Sequence, residues 1–342
     1  MSFKRLDTED ITISAESVVA PAWSGQATTL STNTFITASA QASINRYYYD
    51  IYQTTTTTPG AAVQFSLAYG NRKGSGSQNI SQGEDGKSAS SIIYGQYRTL
   101  INGDENTDFI FGDTTPNSIF VISVNRSRYK EKLLPGSFNL RLTNGATTLN
   151  LTDNSQVLST ISYTDSGRVY DIVSGSNGTP FTELNALGYS FNSGSYGKFL
   201  PDVGVIVLNG EALKAPIAGG GGLGMSINEA SARGLTSSPN LSLFYNIVRE
   251  GGRFTLQSEE TITSNYVFIR VRNSEYNYST NPSIITGSGE LRYDVLINTP
   301  QAYLTTVGLY NDNNDLLGVA KLSRPLLKDF TKEALIRIKL DY

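Results

Sequence analysis

The 342-residue chain contains neither cysteine nor histidine. Without cysteine it can form no disulfide, no thiolate nucleophile and no thiolate metal site. Without histidine it has no Ser-His-Asp or Cys-His arrangement, no HExxH zinc motif and no side chain that titrates near neutral pH unperturbed. Catalysis could use only carboxylate, lysine, tyrosine or serine groups. We therefore expect a protein that is not an enzyme and that holds no metal or cofactor.

Charge is also scarce. Only 17% of the residues are charged, and 27 Lys and Arg against 30 Asp and Glu leave a formal net charge of -3. There is no global basic field, so we expect neither nucleic acid nor a membrane as a partner. No run approaches the ~20 apolar residues of a membrane span. The charged start, Met1 to Ile13, does not look like a secretory signal, which favours synthesis in the cytoplasm.

The composition favours β structure. Hydrophobic residues make up 39% of the chain, which is enough for a sizeable core, and the 20 Tyr outnumber the 14 Phe. This mixture, together with many Thr, Ser, Asn and Gly, is typical of strands with half-buried surfaces. We predict a mainly β fold of antiparallel sheets, in β-sandwich-like modules with few short helices.

Local patterns place individual strands. Residues 119–124 alternate, and an Asn144-Gly145 turn predicts a hairpin whose return strand covers Thr148 to Thr152. Near the end of the chain, Tyr303 to Tyr310 and Leu316 to Leu322 predict two strands joined by the polar turn Asn311 to Asp315. The last residues alternate as well, which predicts a final strand held in a sheet.

One helix is expected near residues 239–250. Ser238 is a suitable N-cap, Pro239 suits the first helical position and Gly251 suits the end. Between them an apolar stripe recurs at helical spacing, formed by Leu241, Phe244, Tyr245 and Val248. This stripe predicts that the helix packs on a sheet.

The spacing of hairpins and glycine-rich breaks suggests three regions. We expect an N-terminal β region over residues 1–135 and an inserted, hairpin-rich β module over residues 136–200. A C-terminal β region with one helix would then cover residues 201–342 and could share a core with the first.

Several side chains are candidates for contacts with other proteins. Four basic residues at even positions would form one positive face of a strand, which could be an interface, a solvated face or a nucleic-acid contact. Tyr276 and Tyr278 could be contact anchors, sugar platforms or packed strand residues, and the last strand has one apolar face. The interface candidates are Arg126, Arg128, Lys130, Lys132, Tyr276, Tyr278, Ile336, Ile338, Leu340 and Tyr342.

Other motifs have a structural interpretation. Asp104-Glu105 with Asp108 and the pair Glu259-Glu260 could serve a glycosidase or bind calcium, but adjacent carboxylates on a strand face opposite ways. Asp312 with Asp315 lacks the rest of an EF-hand and fits turn chemistry. The run Gly219 to Gly224 lacks the lysine of a phosphate-binding loop and is expected to be a loop or hinge.

The segment Thr305 to Lys321, TTVGLYNDNNDLLGVAK, and the alternating residues that follow it resemble a hairpin and final strand of bacteriophage tail proteins. Three further stretches are similar to virion structural proteins of T4-like contractile-tailed phages that infect cyanobacteria. These stretches are Gly95 to Asn106, Arg126 to Ser137 and Phe268 to Ser283.

The resemblance implies a structural component of the virion, in the tail or at a baseplate wedge, bound to other tail proteins and to copies of itself. Two alternatives stay open. The tyrosine clusters would also suit a receptor- or glycan-binding tail-fibre adhesin, and the same scaffold would suit a neck or capsid connector or decoration protein. A carboxylate-dependent glycan hydrolase is indicated only by the acidic groups.

Overall fold

The computed structural model describes residues 3–31, 36–37, 48–76, 88–112, 114–181, 196–216, 221–229 and 239–341. The fold is mainly β, as predicted, with large antiparallel sheets and short helices. The chain forms two compact units, of which the larger is Val18–Glu260 and the smaller is Met1–Ser17 together with Thr261–Tyr342.

Within the described residues there are nineteen strands and four helices. The strands are β1 (Ile11–Pro21), β2 (Thr29–Leu30), β3 (Ile36–Thr37), β4 (Tyr48–Tyr52), β5 (Val63–Asn71), β6 (Ser118–Val124), β7 (Lys132–Leu133), β8 (Asn139–Asn144), β9 (Thr147–Asp153), β10 (Ser162–Thr164), β11 (Gly167–Ser176), β12 (Thr179–Pro180), β13 (Gly197–Leu200), β14 (Val205–Asn209), β15 (Phe254–Thr255), β16 (Gln257–Val271), β17 (Gln301–Tyr310), β18 (Leu316–Asp329) and β19 (Ala334–Asp341). The helices are α1 (Ala89–Asn102), α2 (Gly210–Lys214), α3 (Pro239–Gly251) and α4 (Val295–Asn298). Two single 3₁₀ turns cover Thr8–Asp10 and Arg126–Arg128.

A thirteen-stranded sheet dominates the larger unit. Its main order is β2-β15-β8-β9-β11-β13-β14-β6-β5-β4-β3, with β10 and β12 paired to β11. Six strands separate Phe254 on β15 from Phe65 on β5 in this order, yet their ring centroids are 5.3 Å apart. The sheet therefore curls over and encloses the main core, which makes the unit β-sandwich-like.

This sheet crosses the region boundaries that the sequence suggested at residues 135/136 and 200/201. Strands β8, β9, β11 and β13 of the expected inserted module hydrogen-bond in one sheet with β14 and β6. The structure instead divides the chain at Ser17/Val18 and Glu260/Thr261. Of the glycine-containing breaks that suggested a separate module, those at residues 165–167 and 174–178 lie within a single sheet, because the hairpins bury their apolar faces in the common core.

In strand β6, successive side chains point alternately into two different apolar clusters. Phe120 and Ile122 point into the main core, while Ile119 and Val121 join a second apolar cluster beneath Tyr94 of α1. Both faces of the strand are covered, so every position from 119 to 122 is apolar and buried.

The helix predicted near residues 239–250 is α3, and it packs on the sheet. Leu241 and Val248 are buried in the main core, and Phe244 stacks on Phe120 with ring centroids 4.6 Å apart. Tyr245 contacts Tyr49 edge to face at 5.9 Å. The expected N-cap, residue 238, lies outside the described residues.

The Asn144-Gly145 hairpin is also confirmed. Strands β8 and β9 pair from Asn139↔Thr152 to Asn144↔Thr147, and Gly145 adopts a φ of 60°. That left-handed conformation strains other residue types, which explains the glycine. Leu149 and Leu151 are buried on the core face of the return strand.

In the smaller unit a sheet of order β1-β16-β19 is covered on one face by the β17–β18 hairpin. Strands β16 and β19 pair without interruption from Ser264↔Asp341 to Val271↔Ala334, so the predicted final strand is confirmed. Val267, Ile336 and Ile338 form the buried centre of this unit's core. Side chains of the hairpin pack over them, namely those of Leu304, Val307, Leu309, Ala320 and Leu322.

Candidate interaction surfaces

The four basic candidates do not share one strand face, so the prediction of a single positive strand face is wrong. Strand β6 ends at Val124, and the side chain of Asn125 then accepts the backbone N–H of Ser127 and starts the turn Arg126–Arg128. Only Lys132 lies in a strand, β7. The alternation in the sequence continues past Val124, but the asparagine cap stops the strand there.

Each of these basic residues contacts a group of the larger unit. The Arg126 guanidinium lies 4.5 Å from the centroid of the Tyr129 ring, and Arg128 donates to the Ser24 hydroxyl. Lys130 and Lys132 each pair with a carboxylate, as Nζ of Lys130 lies 2.7 Å from Glu260 and Nζ of Lys132 lies 3.9 Å from Glu259. The charges of Lys130 and Lys132 are therefore neutralised by the Glu259-Glu260 pair.

Two of the carboxylates near the end of α1, those of Asp104 and Asp108, also have partners. Asp104 accepts hydrogen bonds from the Thr107 hydroxyl at 2.6 Å and the Asn106 backbone N–H at 3.0 Å. The bond from Thr107 is the main reason that the pKa of Asp104 lies below its usual value. Asp108 pairs with Arg72 at 2.7 Å and Arg98 at 3.6 Å. Asp104 therefore stabilises a turn, and Asp108 is held in ion pairs.

A shallow open cleft of about 400 Å³ lies in the larger unit, with Trp23, Ser24, Gln26, Gly60 and Arg128 among its lining residues. No carboxylate is among the lining residues that the structure describes. In the described part of the chain, no three acidic residues are grouped so that they could hold a metal ion. The pair of carboxylates that a glycan hydrolase would need is not at this cleft.

A largely buried polar cluster lies in the larger unit. The Ser118 hydroxyl donates to Glu229 at 2.6 Å and lies 2.9 Å from the Tyr69 hydroxyl, and Asn71 donates to Ser118 at 3.0 Å. Burial raises the pKa of Tyr69 to about 12. Ser118 is fully buried and the Glu229 side chain is partly exposed, so the cluster joins β5 and β6 to the segment that carries Glu229.

Among the tyrosine clusters, Tyr49 is buried in β4 and packs on α3, whereas Tyr48 is exposed and residue 47 lies outside the description. Tyr49 is therefore a packed strand residue. In the glycine run, Gly221 accepts a hydrogen bond from the Tyr196 hydroxyl at 2.7 Å, and residues 221–224 form a loop, as predicted.

Tyr276 and Tyr278 lie in a loop of the smaller unit that a buried lysine organises. Nζ of Lys328 is fully buried and donates to the Asn273 carbonyl at 3.0 Å and to Oδ1 of Asn277 at 2.7 Å. Tyr276 has a φ of 56°, and the Tyr278 side chain is largely exposed. Lys328 thus fixes the backbone that presents Tyr278, a relationship with no signal in the sequence.

The apolar face of the last strand is not a free surface. Ile336 and Ile338 are buried in the core of the smaller unit, and Leu340 is half-buried beside them. The β17–β18 hairpin covers Ile336 and Ile338, so these two are core residues and not free interface residues, whereas the candidacy of Leu340 stays a prediction. Tyr342 lies outside the described residues.

A surface that sequence reasoning missed lies on the other side of that hairpin. The directly paired positions Gly308↔Val319 and Tyr310↔Leu316 point away from the core, and all but Gly308 are large apolar residues that are exposed. A Cβ on Gly308 would lie 2.8 Å from Cε2 of Tyr310, so the Tyr310 ring covers this glycine. We call the exposed side the outer hairpin face, and its apolar residues are Tyr303, Tyr310, Leu316, Leu317 and Val319.

The turn of this hairpin is acidic and well ordered by its own side chains. Oδ1 of Asn311 accepts the backbone N–H groups of Asn313 at 3.0 Å and Asp315 at 2.8 Å, and Asn314 has a φ of 66°. This arrangement confirms the turn that the sequence predicted.

The smaller unit also has open strand edges. Among the described residues, β17 and β18 pair only with each other, and β19 pairs only with β16. Unpaired N–H and C=O groups along such edges can accept a strand from another chain.

Comparison with known proteins leaves the family open, because no family model, no curated protein and no solved structure matches the chain. Among the described helices none is long and apolar enough to cross a membrane.

Proposed function

We propose that this chain is a structural component of a bacteriophage virion, an assembly protein of the tail or baseplate wedge that acts through contacts between subunits. The main support for the proposal is the arrangement of the β17–β18 hairpin in the smaller unit. There the segment that resembles tail proteins, Thr305 to Lys321, forms a hairpin with one face packed on its own core and one apolar face exposed.

An exposed apolar face is costly for a protein that works alone. Exposed apolar residues scattered singly are normal, but several grouped on one surface are typical of a contact site. The outer hairpin face groups two tyrosines with leucine and valine side chains, and aromatic residues often anchor protein interfaces.

The open edges of β17, β18 and β19 suit the same role. A strand from a neighbouring subunit could pair with such an edge, and the main-chain hydrogen bonds would fix its register. The location that follows from this role is the virion tail, after synthesis in the host cytoplasm.

The test is mass spectrometry of purified phage particles that encode the chain, combined with chemical cross-linking before digestion. We expect the chain at a fixed copy number in the particle, with cross-links from Lys321 and Lys332 to tail or baseplate proteins or to other copies. Its absence from washed particles would overturn the proposal. Cross-links confined to capsid or neck proteins would move the role to a connector or decoration protein.

A further inference from the structure

The charges around the outer hairpin face follow a fixed order along the hairpin. The turn beyond Leu316 carries Asp312 and Asp315, whereas Lys321 follows Val319 on the other side of the apolar stretch, with Arg324 beyond it. The stretch from Leu316 to Val319 thus separates an acidic end from a basic end.

These charges are available for a partner. Asp312, Lys321 and Arg324 are exposed, and none of them forms an ion pair within the described residues. Most other lysines of the smaller unit, by contrast, have a carboxylate within 4 Å, as Lys339 has Glu16 and Asp341.

We propose that the outer hairpin face binds the same face of a second copy of this chain about a two-fold axis. A two-fold axis that runs across the strands at the apolar stretch reverses the order of charge in the second copy. Asp312 of each copy then faces Lys321 of the other, and Val319 packs on the apolar residues between them. A parallel arrangement would place acidic turn on acidic turn, which is repulsive.

The centre of the face has the shape that such packing needs. Gly308, opposite Val319, has no side chain, and the Tyr310 ring lies over it beside Leu316. The outer surface at this point consists of the Tyr310 ring, with the Phe3 ring edge to face beside it at 5.0 Å between centroids, and of short aliphatic groups. A second Tyr310 and Val319 can approach it closely, so the apolar centre would exclude water from the flanking charge pairs.

This inference deepens the proposed function, since it names a second copy as one of the chain's neighbours. The test is sedimentation equilibrium of the full chain at low ionic strength and up to about 100 μM. We expect a dimer, and we expect Val319→Glu to weaken dimerisation at least about tenfold. Leu335→Glu is the matched control, because Leu335 is 67% exposed and Val319 61%, but Leu335 lies on β19, outside the outer hairpin face. The control should leave the dimer unchanged.

Charge reversal tests the arrangement itself. Asp312→Lys and Lys321→Glu alone should each weaken dimerisation at least about tenfold, because each creates two like-charge contacts per dimer. An equimolar mixture of the two variants should associate again as a heterodimer. In that heterodimer the introduced amine at position 312 of one chain meets the introduced carboxylate at position 321 of the other, and the unchanged Lys321 meets the unchanged Asp312. Both positions are exposed, and circular dichroism checks that the fold is kept.

A wild-type chain that stays monomeric at about 100 μM would overturn the inference. So would a dimer that Val319→Glu leaves intact, or two variants that do not associate when mixed. If the chain is monomeric but cross-links in the particle join the outer hairpin face to a different virion protein, the second-copy inference fails while the proposed function stands. If the chain dimerises as expected but is absent from particles, the proposed function fails.

Discussion

The rings of Phe65 and Phe254 meet edge to face, with an interplanar angle of 75°, although six strands lie between theirs in the sheet. Trp23 packs on both rings, with centroids 5.9 Å from Phe65 and 4.9 Å from Phe254. This aromatic group joins distant parts of the curled sheet and closes the core of the larger unit.

Replacing Phe254 with alanine should destabilise the larger unit by about 3–5 kcal/mol, because a fully buried ring is lost and a cavity remains. Trp23 is the only tryptophan of the chain, and its Nε1 donates to the Phe254 carbonyl at 3.1 Å, so its fluorescence reports on this site. Urea unfolding followed by that fluorescence measures the loss. Phe330→Ala, at an exposed position, is the control; a loss below about 1 kcal/mol for Phe254→Ala would contradict the closing role.

Lys328→Met should loosen the loop that presents Tyr278. The buried amine donates three hydrogen bonds, to Asn273, Asn277 and the Asp329 carbonyl, and each oxygen loses that donor in the variant. An unsatisfied buried polar group costs about 1–3 kcal/mol. Hydrogen exchange of residues 272–278 should therefore become faster. Lys332→Met, at an exposed lysine, should leave this exchange rate unchanged. An equal increase in both variants would argue against the organising role of Lys328.

Asp202 should contribute to acid sensitivity. Burial alone would raise its pKa, but hydrogen bonds from the Arg168 side chain and backbone N–H outweigh this and hold the pKa below 3.8. A pKa lower in the folded state than in the unfolded chain means that the stabilisation is present above about pH 3.8 and is lost as the pH falls through the folded-state pKa.

The wild-type free energy of unfolding should accordingly fall more steeply between about pH 4 and about pH 2 than that of Asp202→Asn. Urea unfolding at each pH gives both curves. Parallel curves over this range would show that Asp202 keeps an ordinary pKa in the folded protein.

The pair Lys130–Glu260 should contribute little to stability despite its 2.7 Å separation, because the lysine side chain is 79% exposed. Exposed ion pairs are worth about 0–1 kcal/mol. A double-mutant cycle with Lys130→Ala and Glu260→Ala measures the coupling by urea unfolding. A coupling energy well above about 1 kcal/mol would mean that the pair is shielded from solvent.

Local patterns in the sequence predicted the elements that depend on neighbours along the chain. Each of three elements was predicted by a pattern that spans only a few residues: the Asn144-Gly145 turn, the apolar stripe of α3 and the alternation of β19. The curl of the large sheet depends on Phe65 meeting Phe254, a residue far along the chain, and no local pattern specifies that contact. The division into units follows from the same long-range packing and was missed for the same reason.

The contact surface was only partly predictable. In β18 both alternating sets contain apolar residues, with Ala320 and Leu322 on one side and Leu317 and Val319 on the other, so periodicity does not tell which side is covered. In the last strand, the alternation correctly predicted that Ile336 and Ile338 share an apolar face. It could not predict that this face is covered by another part of the chain. The exposed apolar surface is the outer hairpin face, on the β17–β18 hairpin that covers the last strand.

The most direct test of the account is a density map of the assembled phage particle at a resolution that shows side chains. We predict that another subunit buries Tyr310 and Val319 in every copy of the chain. A particle in which the chain is present but these two side chains face solvent in all copies would contradict it.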